Sequence, residues 1–531
     1  MAEFEWAFPY PSQRMPVLAR NVVATSQPLA AQAGLQMLRN GGTAADAAVA
    51  TAIAMTVLEP TTNGIGSDAF ALAWFDSKLH GLNGSGRAPK SLAPSHFAGM
   101  KEMPRLGWGP VVVPGAASAW VELSRRFGKL PFEELFEPAI EYATNGFPVA
   151  PLTAALWARA MKKYKDHSEW GKVFLNDGQP PSAGDVFRMP DHARTLRLIA
   201  ESAGEAFYRG ELAKKIAAHA ANENAAMSAD DLASHRADWV EPIAMEYFGR
   251  SLHEIPPNGQ GIVALMALGM LKNFDLSSLQ PDCPDVIHLQ IEAMKLAFRD
   301  AHAHVADPAH MKVSVEDMLD PAYLAARARL IKMDQAQDFA HGQPKKGGTI
   351  LLCAADAAGN MVSFIQSQYE GFGSGVVIPG TGIAMNNRGA CFTLEEGHPN
   401  QFGGGKRPYH TIIPGFVTDA DARPLMAFGV MGGFMQPQGH LQVFMRIVQF
   451  KQNPQAALDA PRWQVTTGLK VMIEPGYEPS LYEELRKRGH EVDIANDKNV
   501  SFGRGQAIYR LNDHAYCAAS DLRADGQAVG Y

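Results

Sequence analysis

The chain has few cysteines and no excess of basic residues, and both shortages limit what it can be. Its 531 residues include four widely separated cysteines, Cys283, Cys353, Cys391 and Cys517, and no C-x-x-C pair. This spacing predicts reduced thiols and excludes a disulfide framework or a cysteine-based zinc site. The formal net charge of −7 argues against a nucleic-acid-binding protein and against a basic protein of membrane surfaces.

Long hydrophobic runs are also missing. The longest apolar stretch, residues 44–60, holds about fifteen apolar or alanine-rich positions, which is too few to cross a bilayer and typical of a buried helix. The first twenty residues have no positively charged start followed by an apolar segment, so we expect no secretory signal and a cytoplasmic protein. No P-loop and no G-x-S-x-G motif is present.

Strand-like patterns lie at both ends of the chain and helical patterns lie between them. Residues 21–26 and much of 349–531 are rich in β-branched and aromatic residues between turns, whereas residues 115–340 carry apolar residues with a period of 3.6. No internal repeat or low-complexity tract interrupts the chain. Because the N-terminal strands could not bury their faces alone, the sequence predicts one layered α+β body with a helix-rich middle segment.

Local signals fill in this outline. Thr43 and Asp46 resemble a capping box at the start of the buried helix. Residues 63–89 predict a pair of strands with glycine-rich loops, and residues 505–531 predict a terminal hairpin. Residues 334–348 are polar and end in two glycines, which is typical of an exposed linker.

The stretch KKGGTILLCAADAAGNMVSF, residues 345–364, places a threonine directly after two glycines and before an apolar run. Thr349 is compatible with the simple start of a strand. It is also compatible with self-cleavage, since Gly348 leaves its carbonyl accessible to the Thr349 hydroxyl and tolerates unusual dihedral angles. The freed α-amine, with a reference pKa of about 7.7–8.0, would then act as the base for its own hydroxyl.

This stretch resembles the start of the small subunit in the γ-glutamyltransferase family of N-terminal nucleophile hydrolases. Residues 22–70, 83–89, 405–414 and 519–531 resemble further segments of that family in the same order. The resemblance implies a four-layer αββα sandwich and self-cleavage into a large subunit, 1–348, and a small subunit, 349–531, that interleave in one body. It implies no metal or organic cofactor, and it leaves open a homo-oligomer of processed heterodimers.

The resemblance also assigns catalytic roles. Thr349 matches the nucleophile, the Gly348–Thr349 bond matches the cleavage site, and Ser367 matches the hydroxyl that binds the nucleophile. Gly432 and Gly433 match the paired glycines whose backbone N–H groups form the oxyanion hole, where glycine lets the backbone approach a developing oxyanion.

The predicted substrate pocket departs from the family pattern. Tyr369, Arg388 and Cys391 occupy positions where the family binds the substrate ammonium, and Tyr409 and His410 replace paired serines that contact the substrate carboxylate. An arginine in place of a carboxylate would repel a desolvated ammonium. The aromatic side chains would narrow the pocket and supply polar tips, although packing roles remain an alternative for each of them.

Two arginines are candidate carboxylate clamps. Ser85 stands at the family's arginine position, Arg87 follows two residues later, and Arg388 lies in the substituted pocket; guanidinium groups pair with carboxylates through two parallel hydrogen bonds. Roles in bracing loops remain open for both arginines. These replacements resemble the branch that includes oxamate amidohydrolase, and they predict hydrolysis of a small carboxylate-bearing amide by water through an acyl-enzyme on Thr349.

Other interpretations are weaker but distinct. A γ-glutamyltransferase or glutathione hydrolase is the first alternative, and an unprocessed, non-catalytic binding homologue is a distant one. His302, His304 and His310 suggest a metal site, but the helical pattern before them would separate the first two by about 200°. The loop at residues 64–69 mimics a dinucleotide-binding motif, yet it follows a predicted helix where a strand is required.

Overall fold

The computed structural model describes residues 13–339, 348–496 and 500–531. Its strands are β1 (Val17–Ala19), β2 (Val22–Thr25), β3 (Asp68–Phe75), β4 (Lys78–Asn83), β5 (Phe147–Pro148), β6 (Val186–Phe187), β7 (Asp238–Val240), β8 (Ile243–Tyr247), β9 (Arg250–Glu254), β10 (Gly348–Ala355), β11 (Met361–Tyr369), β12 (Gly415–Thr418), β13 (Pro424–Met431), β14 (Trp463–Thr467), β15 (Lys470–Ile473), β16 (Glu491–Ile494), β17 (Arg504–Asn512), β18 (Ala515–Ser520) and β19 (Gln527–Gly530). Its helices are α1 (Pro28–Arg39), α2 (Ala44–Leu58), α3 (Ala116–Phe127), α4 (Glu137–Asn145), α5 (Pro151–Tyr164), α6 (Ser168–Phe174), α7 (Pro190–Glu201), α8 (Glu205–Tyr208), α9 (Glu211–Asn222), α10 (Ala229–Ser234), α11 (Gly261–Leu271), α12 (Pro284–His304), α13 (Val315–Met318), α14 (Pro321–Ala328), α15 (Met435–Val448), α16 (Pro454–Asp459) and α17 (Pro479–Lys487).

Two seven-stranded sheets form the centre of the molecule. The first has the order β19-β2-β10-β11-β3-β4-β7, and the second has the order β1-β18-β17-β13-β12-β9-β8. Strand β10, which begins at the predicted cleavage bond, is antiparallel to β2 on one side and to β11 on the other. Both sheets therefore combine strands from before and after Thr349, so the two segments interleave.

The side chains of β10 show how the layers pack. Ile350 and Leu352 join a core cluster with helices α1 to α4, whereas Leu351 and Cys353 join a second cluster between the two sheets. This alternation is the two-residue period of a strand that is buried on both faces. The second sheet packs its other face against α11, α12 and α15. The arrangement is four layers, αββα, and the predicted α+β class is confirmed.

Helix α2 supports the central strands from behind. All fifteen of its residues are buried, and its alanine-rich surface packs against β10 and β11. The predicted capping box is present: the Thr43 backbone N–H donates to Asp46 Oδ2 at 2.8 Å, and the Thr43 hydroxyl caps the first turn. Asp356, in the β10–β11 turn, accepts a hydrogen bond from Ala44 N at 2.8 Å. The helix is thereby tied to the hairpin that carries Thr349.

Four predictions from the sequence are refined by the structure. The strand pair at residues 63–89 is confirmed as β3 and β4, but the helical middle also contains β5, β6, β7, β8 and β9. At the C-terminus, β17 and β18 form the hairpin while β19 crosses to pair with β2 in the other sheet. Most of the linker predicted at 334–348 lies outside the described residues, and within its described part Ala336 and Phe339 are buried.

The described residues contain no helix that is long and apolar enough to cross a membrane. The four cysteines are free thiols, as predicted.

Buried histidines predict that the fold loses stability in mild acid. Burial lowers the pKa of His192 to about 3, and burial together with nearby arginines lowers the pKa of His235 and His410 to about 4. The unfolded chain therefore binds protons that the folded chain rejects as the pH falls from about 6.5 toward 4. Each such histidine removes about 1.4 kcal/mol of unfolding free energy per pH unit in this window.

Urea unfolding at pH 7, 6 and 5 measures this loss. His192→Gln should lose less stability between pH 7 and 5 than the wild type, while substitution of the exposed His514 by Gln should leave the pH dependence unchanged. Equal slopes for all three proteins would show that His192 is not responsible.

Candidate active site

Thr349 lies at the start of β10, where the strand pairing is interrupted. Gly348 pairs with Tyr369 and Ile350 pairs with Gln366, so the register shifts across Thr349. The Thr349 side chain is 1% exposed, and its Oγ1 donates a hydrogen bond to Ser367 Oγ at 3.2 Å. The structure therefore brings together the nucleophile and the partner hydroxyl named from the sequence.

Every hydrogen-bonding position of the Ser367 hydroxyl is occupied. Its oxygen accepts from Thr349 Oγ1 and from the Tyr369 backbone N–H at 2.8 Å, and its single proton points to the Gly348 carbonyl oxygen at 2.5 Å. A serine hydroxyl has one donor and two acceptor positions, so this set leaves no other arrangement. The nucleophilic oxygen is thus linked through one hydroxyl to the carbonyl of the predicted cleavage bond.

Gln436 is a second polar contact of the nucleophile that the sequence did not reveal. It lies in the first turn of α15, its Nε2 is 3.5 Å from Thr349 Oγ1, and its Oε1 accepts from Ile413 N at 2.9 Å. The contact to Thr349 is long, but the bond to Ile413 fixes which end of the amide faces the threonine. A glutamine three residues after a Gly-Gly pair carries no recognisable motif.

Gly432 and Gly433 connect the end of β13 to α15 with φ angles of 132° and 63°. Other residue types rarely adopt such angles, and a Cβ on Gly432 would lie 3.2 Å from Gly503 Cα. The Gly433 carbonyl accepts from Gln260 Nε2 at 2.9 Å, and Gly432 lines the same cavity as Thr349. The pair therefore has the local backbone freedom that an oxyanion hole requires.

Arg504 and Glu59 hold the backbone of Thr349 from the other side. Arg504 Nη2 donates to the Thr349 carbonyl oxygen at 3.3 Å, and its Nη1 pairs with Glu59 Oε1 at 2.8 Å. Glu59 is 1% exposed and also accepts from the hydroxyls of Ser26 and Thr62. A buried ion pair is tolerated only when its remaining hydrogen bonds are made, as they are here. The sequence did not indicate either residue.

The predicted pocket residues form a buried cluster behind the nucleophile. His410 Nε2 lies 3.1 Å and Arg388 Nε 3.5 Å from Asp68 Oδ2, and the Arg388 guanidinium stacks on the Tyr369 ring at 4.9 Å. Arg388 Nη1 donates to Thr411 Oγ1 at 2.7 Å, whereas Nη2 has no hydrogen-bond partner among the described residues. Burial and the neighbouring arginine keep the pKa of His410 near 4, so its imidazole is neutral at pH 7.

Tyr409 links this cluster to the glycine pair. Its hydroxyl donates to Gln260 Oε1 at 3.2 Å, and Gln260 Nε2 donates to the carbonyls of Thr411 and Gly433. The Tyr409 ring also stacks on Phe434. Burial raises the pKa of the Tyr409 hydroxyl well above its usual value, so the hydroxyl stays protonated.

A cavity of about 600 Å³ opens beside Thr349. Its walls come from the α2–β3 loop, α5, the start of β10, the end of β11 and the Gly432 turn, and they comprise Thr61, Thr62, Arg105, Leu156, Arg159, Ala160, Lys163, Tyr164, Gly348, Thr349, Glu370, Gly371, Met431, Gly432, Val500 and Arg504. Arg388, Tyr369, Tyr409 and His410 do not line it. Two sides of the nucleophile are therefore distinct: a buried cluster and an open cavity.

Arg87 lies apart from this site. Its Nη1 pairs with Asp307 Oδ2 at 2.9 Å, and the residue lines a separate cavity of about 280 Å³ with His235 and Arg407. The ion pair and the separate location place Arg87 in a brace between loops, so we do not include it among the residues that contact substrate.

Among the described residues, one group of potential metal ligands is close enough to share an ion. It consists of His288, Glu292 and His490. However, His288 Nδ1 bonds to His490 Nε2 at 2.8 Å, and the Lys295 ammonium lies 2.7 Å from Glu292 Oε1, where it would oppose a cation. These contacts join α12 to the segment around His490, and we assign no metal to the cluster.

The earlier motif candidates have structural roles. His302 and His304 lie in the last turn of α12, and His310 lies in a separate short turn, so the helical prediction is confirmed. The 64–69 loop packs tightly on protein: a Cβ on Gly66 would lie 2.1 Å from the Ala384 carbonyl oxygen.

Comparison with known proteins agrees with this geometry. The family model described as gamma-glutamyltranspeptidase matches residues 30–531. The chain belongs to the γ-glutamyltranspeptidase family. A solved structure of cephalosporin acylase from Bacillus halodurans superposes with a TM-score of 0.96 at 50% identity, covering 100% of this chain and 99% of that one.

Relatives in this family carry different activities in their names. The glutathione hydrolase-like YwrD proenzyme of Bacillus subtilis is 33% identical over 96% of this chain and 98% of its own length. The oxamate amidohydrolase proenzyme of Klebsiella pneumoniae is 34% identical over 95% and 97%. The chain is thus an N-terminal nucleophile hydrolase of the amidohydrolase and acyltransferase type, in a family whose members are made as proenzymes.

Removing the Ser367 hydroxyl tests whether a proton passes from Thr349 Oγ1 through Ser367 Oγ to the Gly348 carbonyl oxygen. Ser367→Ala should slow cleavage at Gly348–Thr349 by about a hundredfold or more, because it removes the donor to the scissile carbonyl and the acceptor of the Thr349 proton. The cleaved fraction is followed by denaturing electrophoresis after synthesis. Ser363→Ala is the matched control, since it removes another buried hydroxyl on β11, one that donates to the Phe428 carbonyl rather than to the Gly348 carbonyl. Equal cleavage of both variants would exclude the path.

Proposed function

We propose that the chain cleaves itself between Gly348 and Thr349 and then hydrolyses an amide whose acyl group carries a carboxylate, through an acyl-enzyme on Thr349. The observation that supports it most directly is the hydrogen-bonded series from Thr349 Oγ1 through Ser367 Oγ to the Gly348 carbonyl. It connects a nucleophile, a proton acceptor and a polarised carbonyl in one continuous arrangement.

Self-cleavage follows from this series. Thr349 Oγ1 attacks the Gly348 carbonyl carbon and passes its proton to Ser367 Oγ, whose own proton moves to the carbonyl oxygen. The tetrahedral intermediate then collapses: the C–N bond breaks, the proton returns to the departing nitrogen, and an ester joins Gly348 to Thr349 Oγ1. Water hydrolyses the ester, which leaves a Gly348 carboxylate and a free Thr349 α-amine. The register shift between Gly348 and Ile350 interrupts the regular strand pairing beside this bond, which supports the proposal.

The new terminus supplies its own base. The α-amine takes the proton of Thr349 Oγ1 as the hydroxyl attacks the substrate carbonyl, and it returns that proton to the leaving amine. Backbone N–H groups at Gly432 and Gly433 stabilise the oxyanion, and water then hydrolyses the ester. Arg504 holds the Thr349 carbonyl and so fixes the orientation of the terminal residue during both half-reactions.

The substituted pocket supports an anionic acyl group. Arg388 is fully buried, shares Asp68 with His410, and has an Nη2 group without a partner among the described residues. A buried guanidinium with unmade hydrogen bonds favours a carboxylate ligand. The same residue disfavours the ammonium of a γ-glutamyl group. The oxamate amidohydrolase relative, which is named for a small carboxylated amide, agrees with this choice.

A longer acyl group is the second candidate. The cavity of about 600 Å³ is large for oxamate alone, and the structure with 50% identity is a cephalosporin acylase. A dicarboxylic acyl group such as glutaryl would keep the carboxylate for Arg388, and the cavity would hold a leaving amine larger than the ammonia released from oxamate. Both candidates form an ester on Thr349 whose acyl group ends in a carboxylate, and they differ in the length of that group and in the leaving amine.

Self-cleavage is tested with two substitutions of one residue. The wild type should give two chains, residues 1–348 and 349–531, with the second beginning Thr-Ile-Leu-Leu in mass-spectrometric sequencing. Thr349→Ala should remain intact and inactive, whereas Thr349→Ser, which keeps a hydroxyl, should still be cut. An intact and inactive wild type would instead support the non-catalytic binding homologue.

Substrate choice is tested on the cleaved enzyme with oxamate, a glutaryl anilide and a γ-glutamyl anilide. We expect kcat/KM for the better of the first two to exceed that for the γ-glutamyl anilide by about tenfold or more, which corresponds to about 1.4 kcal/mol lost by bringing an ammonium toward Arg388. Faster hydrolysis of the γ-glutamyl anilide would overturn the assignment of Arg388 and favour a glutathione hydrolase.

A further inference from the structure

The cavity beside Thr349 is positively charged in an acidic protein. Four of its lining side chains are cationic and one is a carboxylate, although the chain as a whole has a net charge of −7. Clustered charge of one sign around a cleft raises the local concentration of the opposite ion. The charge therefore points to an anionic ligand.

One face of α5 supplies much of this charge. Leu156, Arg159, Ala160 and Lys163 line the cavity and recur three or four residues apart, so they share one side of the helix. At the end of the helix the Tyr164 hydroxyl donates to the backbone carbonyls of Gly371 and Gly373. These bonds fix α5 against the loop that follows β11, so the charged face has a defined position relative to Thr349.

The cavity is lined by more cationic side chains than its single carboxylate, Glu370, can pair with. Arg105 and Lys163 both pair with Glu370, whose side chain also accepts from Asn387 Nδ2 at 3.2 Å. Arg159 is exposed, lines the same cavity and makes no ion pair or hydrogen bond with the described residues. Arg105 and Lys163 keep about a third of their side-chain surface accessible, 36% and 33%. They can therefore bind a further anion without leaving Glu370.

We propose that Arg105, Arg159 and Lys163, here called the cationic wall, bind an anionic group on the leaving amine of the substrate. The inference rests on the proposed amide hydrolysis. The acyl side is assigned to the buried Arg388 cluster, which does not line the cavity, so the cavity remains for the amine that departs first. The preferred substrate then carries two anionic groups, one on each side of the scissile amide. This favours the longer acyl group over oxamate, because the ammonia that oxamate releases carries no anionic group.

Two anilides with one acyl group test this assignment. Glutaryl-4-nitroanilide and glutaryl-3-carboxy-4-nitroanilide differ by a single carboxylate on the leaving amine. The measured quantity is the ratio of their kcat/KM values on cleaved enzyme, carboxylated over uncharged. In Arg159→Gln/Lys163→Gln this ratio should fall about fivefold from the wild-type value, as expected for partly exposed ion pairs.

The control removes one positive charge from the same helix, outside the cavity. Lys162 is exposed and lies outside the cavity lining, so Lys162→Gln should leave the ratio at the wild-type value. The wild-type ratio should also fall as the NaCl concentration rises from about 0.05 M to about 0.5 M, which a purely structural role would not produce. Intrinsic differences between the two anilines cancel because each variant is compared with the wild type.

The outcomes separate this inference from the function on which it rests. Hydrolysis of both anilides with an unchanged ratio in the double variant would overturn the cationic wall and leave amide hydrolysis intact. An equal fall in the ratio for Lys162→Gln would also overturn it, because general charge would then explain the effect. Hydrolysis of neither anilide by the cleaved wild type would overturn the glutaryl candidate and this inference together, and hydrolysis of oxamate by the same enzyme would show that the proposed amide hydrolysis still stands.

Discussion

The hydroxyl of Ser367 is the group on which the reactive end of β10 depends. One serine accepts two hydrogen bonds and donates one, and here those three bonds join the nucleophile, the neighbouring strand backbone and the carbonyl before the nucleophile. Because the Ser367 proton has no alternative acceptor, the direction of the hydrogen bond from Thr349 Oγ1 to Ser367 Oγ is fixed. The surrounding structure serves to hold β10 and β11 in the register that makes this possible.

The register of β10 and β11 is set by packing contacts that lie away from the active site. Alternate side chains of β10 pack against the helical layer and against the second sheet, so a slip of one residue would exchange the two faces. Helix α2 adds a second restraint through its first turn, which binds Asp356 in the hairpin turn. The free-energy cost of removing α2 from water is small because its side chains are short and most of them are apolar. The position of one hydroxyl is thus a consequence of packing in three layers.

The sequence predicted the parts of the site that lie in short segments similar to a known family. Thr349 after two glycines suggested self-cleavage from the residues themselves, whereas the roles of Ser367, Gly432 and Gly433 came from the family resemblance. Arg504, Glu59 and Gln436 could not be found in this way, because they reach Thr349 only through the pairing of the two sheets and the placement of α15. Arg87 shows the opposite case, in which a local pattern misleads. Its residue type and position suit the binding of a substrate carboxylate, but the side chain is already paired with Asp307.

Interleaving explains how the proposed cleavage at Gly348–Thr349 can leave the fold intact. Strand β10 is held on one side by β2, from the large segment, and on the other by β11, from the small one. The first sheet also includes β19 at the C-terminus, which pairs with β2 across the same junction. These ladders and the shared cores join the two segments independently of the Gly348–Thr349 bond, so the proposed cleavage removes one covalent link between segments that stay paired. The proposed cleavage therefore changes the chemistry of one residue, from an amide nitrogen to an amine beside its own hydroxyl, in a site that is already assembled.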